Sequence, residues 1–133
     1  MKRIACLVLL LSASLPCVAQ QVADRDFAPA VSPAFAEGKG PVVCLDEAHH
    51  NFHTLDGRFR PFGALLRRDG YVVAPNGAAF DETSLSACAA LVIANAQPSD
   101  ADWNTYPTPT PSAFAPAEIA AVRDWVQGGG RLL

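Results

Sequence analysis

Between Asp46 and Asp56 the chain gathers all three of its histidines and three carboxylates within eleven residues. Two chemistries suit such a set. Asp46, His49 and His53 offer hard and borderline metal ligands, and His49 and His53 are one helical turn apart. Their spacing matches no established zinc signature, so the three are weak metal candidates and no metal is assigned. Asp46 or Glu47 beside a histidine also suits general acid–base work. A carboxylate at the end of a buried strand is desolvated on one side, which opens its pKa to tuning. A structural use competes with both: Asp46 would collect backbone N–H groups and lock the loop, with the histidines capping a tight turn. Asp46, Glu47 and His49 are the candidate catalytic residues. Asp46, Glu47, His49, His50, Asn51 and His53 are the candidate ligand-binding set.

These side chains need elements to place them. Pro41 to Asp46 is a continuous apolar run, as expected of a strand buried on both faces. After the polar loop, Arg58 to Asp69 puts Phe59, Phe62, Leu65 and Leu66 on one helical face, with Pro61 in the permitted first turn and Gly70 as the stop. Tyr71 to Ala74 and Ala89 to Ala94 read as further strands, separated by a loop with one helical turn around Leu85. Asn95 to Ala115 holds four prolines together with Trp103 and Tyr106, and reads as a long irregular excursion. Pro116 opens a helix whose first turn carries Glu118 near the positive end of the dipole. Ile119, Val122, Trp125 and Val126 are its expected apolar face, and Gly128 to Gly130 its end. Arg131 begins a fourth strand.

That rhythm predicts an α/β fold, an open parallel sheet with helices on both faces, flavodoxin-like and incomplete at the C-terminus. A fourth strand of three residues with no helix behind it reads as a truncated domain. In such sheets ligands bind beyond the carboxyl ends of the strands, where strand order reverses. The first strand sits at that reversal in the usual order. The Asp46–Gly57 loop therefore falls at the ligand edge, and the Pro-rich excursion leaves the same edge, placed to overhang it as a lid.

Other chemistry is thinly supported. Cys44 is mid-strand and Cys88 precedes a strand, so neither occupies a nucleophile elbow. Ser84 and Ser86 have no base nearby in sequence. Trp103 and Tyr106 could stack on a sugar, although loop aromatics more often pin their own loop. Gly128 to Gly130 ends a helix rather than opening one, so it is no phosphate loop.

The amino terminus reads as a secretory signal over residues 1–19, cleaved between Ala19 and Gln20. Lys2 and Arg3 supply its basic start and Ile4 to Leu11 its apolar core. That core is too short for a bilayer span, and Pro16 before Cys17 argues against a lipoprotein. Residues 20–40 form an Ala- and Pro-rich linker, leaving 41–133 as the domain. Without the leader the chain keeps 8 basic and 13 acidic residues, which argues against nucleic-acid partners. The expected location is periplasmic or secreted, with no membrane insertion after cleavage. An oxidising compartment invites a Cys44–Cys88 disulfide. If Asp46 pairs with Ala94, however, Cys88 lies four residues along the strand from the partner of Cys44, roughly 13 Å away. Two buried free thiols are the expectation.

The segments LDEAHHNFHTLDGRFRPFGALLRRDGYVV (45–73), LVIANA (91–96) and FAPAEIAAVRDWVQGGGRLL (114–133) together resemble an uncharacterised group of bacterial exported proteins. Their domain is similar to class I glutamine amidotransferases. The resemblance spans about Phe27 to Leu133 and implies a flavodoxin-like sheet with the Asp46–Asn51 loop at its ligand edge. It implies that Asp46, Glu47, His49 and Asn51 matter, without implying a reaction. In true amidotransferases the nucleophilic cysteine follows the strand that begins here at Arg131, beyond this sequence.

Two function classes follow. One is a non-catalytic envelope module that binds a small molecule or an envelope protein. The other is an envelope hydrolase, metal-assisted or not, that uses the Asp46–His53 loop. The missing elbow favours the first. No motif specifies a cofactor.

Overall fold

The computed structural model describes residues 22–133. The signal segment and the first two residues of the linker lie outside the described residues. Four parallel strands form one sheet in the order β2-β1-β3-β4: β1 (Val42–Asp46), β2 (Val72–Asn76), β3 (Ala90–Val92) and β4 (Arg131–Leu132). The helices are α1 (Arg60–Arg68), the single turn α2 (Glu82–Leu85) and α3 (Pro116–Gln127). This is the expected open parallel α/β sheet, with β1 between β2 and β3 where the order reverses. No helix among the described residues is long and apolar enough to cross a membrane.

Strand periodicity explains the two cores. Alternate residues of a strand face opposite sides, so Val43 and Leu45 point to one face and Cys44 to the other. On the first face they meet Val92, with Phe59, Phe62 and Leu66 packing from α1 and its entry. On the second, Cys44 joins Leu91, Phe80 and Leu85, covered by Ala121, Val122 and Trp125 of α3. Helices therefore cover both faces. Pro75 lies in β2, an edge strand, where a missing ladder donor is tolerated. Gly70 closes α1 at φ +93° and sends its N–H to the Arg67 carbonyl.

Three expectations need correction. Cys44 and Cys88 form a disulfide, with Cα atoms 5.7 Å apart. The expected register was one residue out: Cys44 pairs with Leu91, not Val92. In addition, Cys88 does not continue the line of β3. It closes a turn on Leu85, its N–H bonded to the Leu85 carbonyl at 3.0 Å, and that turn folds it back over the face where Cys44 points. The apolar face of α3 also differs. Ile119 and Val126 are exposed, and the inward face runs Glu118, Ala121, Val122, Trp125. Finally, Leu65 of α1 is partly exposed, outside the core that Phe62 and Leu66 enter.

The end of the linker is docked rather than loose. Ala34 N–H donates to the Asp69 carboxylate at 2.8 Å, and Gly40 N–H to the Gly70 carbonyl at 2.8 Å. Phe35 packs edge-on against Tyr71, their ring centroids 5.1 Å apart. These bonds fasten residues 34–40 to the turn between α1 and β2.

Candidate functional site

The loop leaving β1 is built around one carboxylate. Asp46 is fully buried at the end of the central strand. Its Oδ1 accepts from the Ala48 N–H at 3.2 Å and from His49 Nδ1 at 2.7 Å. Its Oδ2 accepts from Asn51 Nδ2 at 2.9 Å. Asn51 Oδ1 in turn accepts the His49 N–H at 2.9 Å. It also donates to the Ala94 carbonyl at 3.1 Å, tying the loop to the end of β3. The reversal needs His50 in a left-handed conformation, φ +49°.

His49 lies between two carboxylates. Its Nε2 is 2.8 Å from Oε1 of Glu118, on the first turn of α3. The ring is buried between Phe80 and Phe114, with centroids 4.7 Å from each. A neutral imidazole has one N–H, so two carboxylate partners call for the doubly protonated ring. Burial opposes that charge, but the hydrogen bonds and negative charges of Asp46 and Glu118 outweigh it and raise the His49 pKa. For Glu118, burial opposes ionisation. The Ala115 N–H, the bond from His49, the Phe80 N–H and the charge of His49 more than offset it, so its pKa is lowered. Glu118 Oε2 accepts the Ala115 N–H at 2.8 Å, and Oε1 also accepts the Phe80 N–H at 3.0 Å. One side chain thus caps α3, holds the segment leading to α2 and grips the β1 loop.

The remaining candidates separate. Glu47 accepts the Leu55 N–H at 2.7 Å and closes the far side of the loop. His53 stacks obliquely on Phe59 at 4.6 Å, and its Nδ1 is buried without a hydrogen-bond partner among the described residues. His50 turns outward to Asp100, 2.6 Å from Nδ1 to Oδ1. Asp46 and His49 come together, but both nitrogens of His49 are committed to carboxylates. Among the described residues no group of three or more histidine, cysteine or acidic side chains is arranged to hold a metal ion.

The excursion after β3 returns over this edge. Gln97 N–H donates to the His49 carbonyl at 2.8 Å, and Asp100 meets His50. An open groove lies between the two loops and has two lobes. One, about 410 Å³, is lined by Glu47, His50, Asn51, Ser99 and Asp100. The other, about 470 Å³, is lined by Arg58, Asn95, Ala96 and Trp103. Phe52 and Gln97 belong to both.

Glu118 is the residue that sequence reasoning left at a helix end. Its signal was its spacing: it lies three, four and seven residues before Ala121, Val122 and Trp125, on the face that packs inward. Arg58, Asn95 and Gln97 carried no signal, because only the meeting of two loops makes them neighbours.

The fold and site define an α/β protein with an open parallel sheet and a polar groove at its carboxyl edge. No protein-family model, no curated protein and no solved structure matches the chain.

Proposed function

We propose that this chain is a non-catalytic binding module of the cell envelope, with the groove at the carboxyl edge of its sheet as the ligand site. The observation that carries the reading is the engagement of His49 by carboxylates at both ring nitrogens. An acid–base catalyst needs a nitrogen or carboxylate oxygen free to meet substrate. Asp46 is buried and His49 saturated, so two of the three catalytic candidates are spent on holding the loop. The groove beside them stays open and is walled by side chains suited to recognition.

Two features support export. The amino-terminal segment has the composition of a secretory signal, and the Cys44–Cys88 pairing suits an oxidising compartment. The resemblance to exported amidotransferase-like proteins agrees with a parallel sheet used as a platform. A hydrolase reading rests on Glu47, the one catalytic candidate that lines the groove.

The test is a fragment screen by NMR on the isotopically labelled, oxidised chain, with ester, amide and phosphoester hydrolysis assayed in parallel. Binding predicts shifts concentrated at His50, Phe52, Gln97 and Asp100, with no turnover. Turnover abolished by Glu47→Gln in a folded protein would replace this reading with the hydrolase.

A further inference from the structure

We infer that the groove takes an oligosaccharide, with Trp103 and Phe52 as its stacking walls; this rests on the binding-module reading above. The two aromatic residues of the Pro-rich excursion have opposite surroundings. Tyr106 pins the loop: its hydroxyl lies 2.8 Å from the Ser99 carbonyl and 3.2 Å from Gln97 Oε1. Trp103 pins nothing and is 65% exposed. Nor is it loosely carried. It opens a 3-10 turn, Trp103–Thr105, whose N-terminal cap is the Asp102 carboxylate, accepting from the Asn104 N–H at 3.0 Å. The Thr105 hydroxyl donates to the Asp102 carbonyl at 2.6 Å. An indole held out in water by a capped turn gives up the burial that would stabilise it.

Phe52 is 51% exposed and lines the same lobe as Trp103. The Arg58 guanidinium carbon stands 5.4 Å from its ring centroid, a cation–π contact that occupies one face of the ring, so a sugar must stack on the other face or displace the guanidinium. Two exposed rings on one lobe match a ligand with C–H faces. The polar lining selects among such ligands. Asn95 and Gln97 offer amide donors and acceptors beside the rings, and Glu47 and Asp100 offer carboxylate acceptors in the next lobe. Such groups pair with rings of hydroxyls.

Competing ligand classes fit less well. A nucleotide or other polyanion wants clustered cations. Here Arg58 leans on Phe52, His50 is held by Asp100, and two carboxylates line the groove. A lipid or apolar peptide would leave the amides and carboxylates of both lobes unpaired under it. The lobes adjoin, sharing Phe52 and Gln97 in their linings, and together they offer room for more than one sugar unit. The two loops that frame it carry the only non-glycine residues with positive φ among the described residues, His50 at +49° and Asn95 at +53°. Backbone of that kind clusters at ligand sites.

The probes are chitotetraose, cellotetraose and maltotetraose in solution, and purified peptidoglycan in a sedimentation assay. Binding is read by tryptophan fluorescence and calorimetry on the oxidised chain. Trp125→Phe removes the other tryptophan, which packs against the core cluster around Cys44 and Leu91 and lines neither lobe. That variant should bind like the parent and report on Trp103 alone. At least one probe should quench or shift the emission, and Trp103→Ala should weaken its binding about tenfold or more. Gln97→Ala should weaken it severalfold, with melting temperature and circular dichroism unchanged for Trp103→Ala. Failure of all four probes, or binding unaffected by Trp103→Ala, overturns the saccharide assignment. If non-sugar fragments still shift the groove resonances, the binding-module reading survives that failure. Hydrolytic turnover abolished by Glu47→Gln would remove the binding-module reading instead.

Discussion

Glu118 Oε1 lies 2.8 Å from His49 Nε2, although 69 positions separate the two residues in the chain. The contact joins the first turn of α3 to the loop after β1, and Asp46 completes it from the other side of the ring. Removing one member of a buried charged pair leaves the other uncompensated, at a cost of about 3–5 kcal/mol. His49→Ala should destabilise the domain by about that much in urea denaturation, and Glu118→Ala by somewhat less, because Glu118 keeps some exposure. The double variant should lose less than the sum, with a coupling of about 1–3 kcal/mol. Additive losses would mean that the two side chains do not support each other.

The same triad gives the stability a pH profile. The pKa of His49 is raised in the fold, so its contribution is complete below the ordinary histidine value of about 6.5 and is lost as pH climbs through the raised value. The pKa of Glu118 is lowered, so its contribution is complete above the ordinary glutamate value of about 4.3 and is lost as pH falls through the lowered one. Thermal stability should therefore be highest at mildly acidic pH and decline into the alkaline range. His49→Gln should flatten the alkaline decline. Melting curves from pH 4 to pH 9 on both proteins are the check, and parallel curves would exclude His49 as the titrating group.

The disulfide makes a prediction that the sequence reading opposed. Oxidised protein should weigh two daltons less than its reduced sum and should resist alkylation until it is reduced. Cys44 and Cys88 are separated by 44 positions. Loop-closure entropy for a crosslink of that span gives about 4 kcal/mol. Cys44→Ala with Cys88→Ala should lower stability by up to that amount, less whatever the repacked alanines recover. Full alkylation of the untreated native protein would show the thiols to be free.

The sheet was legible in the sequence because its signals are local. A run such as PVVCLD reads as a strand buried on both faces, and Pro116 and Gly70 mark helix ends by their own backbone chemistry. The Asp46–Asn51 loop was legible as a dense polar segment at the edge where β1 ends. Two things were not legible, and both are relations between distant segments. The strand register differs by one residue from the one the sequence suggests, and the turn at Leu85 that carries Cys88 back over Cys44 has no signature of its own. Glu118 was assigned to the helix dipole because a carboxylate in a first turn needs no other explanation. Its partnership with His49 exists only once α3 lies across the end of β1.

Asp46 and Asp100 each bond to a histidine, at 2.7 and 2.6 Å, yet their substitution should have opposite consequences. Asp46 is fully buried and accepts three hydrogen bonds. Asp46→Asn replaces one acceptor oxygen with an NH₂ group that faces donors, either His49 or Asn51. An unsatisfied buried donor costs about 1–3 kcal/mol, and loss of the charge weakens the hold on the His49 ring as well. The variant should melt lower while still binding groove ligands at temperatures where it stays folded. Asp100 is 89% exposed along its side chain, and an ion pair in that setting contributes little to stability. Asp100→Asn should leave the melting curve in place and alter binding in the lobe it shares with Glu47 and His50. Measuring melting temperature and ligand affinity for the two variants separates a carboxylate that builds the loop from one that faces the ligand. Equal effects of both substitutions on binding, with stability intact, would return Asp46 to the list of functional residues.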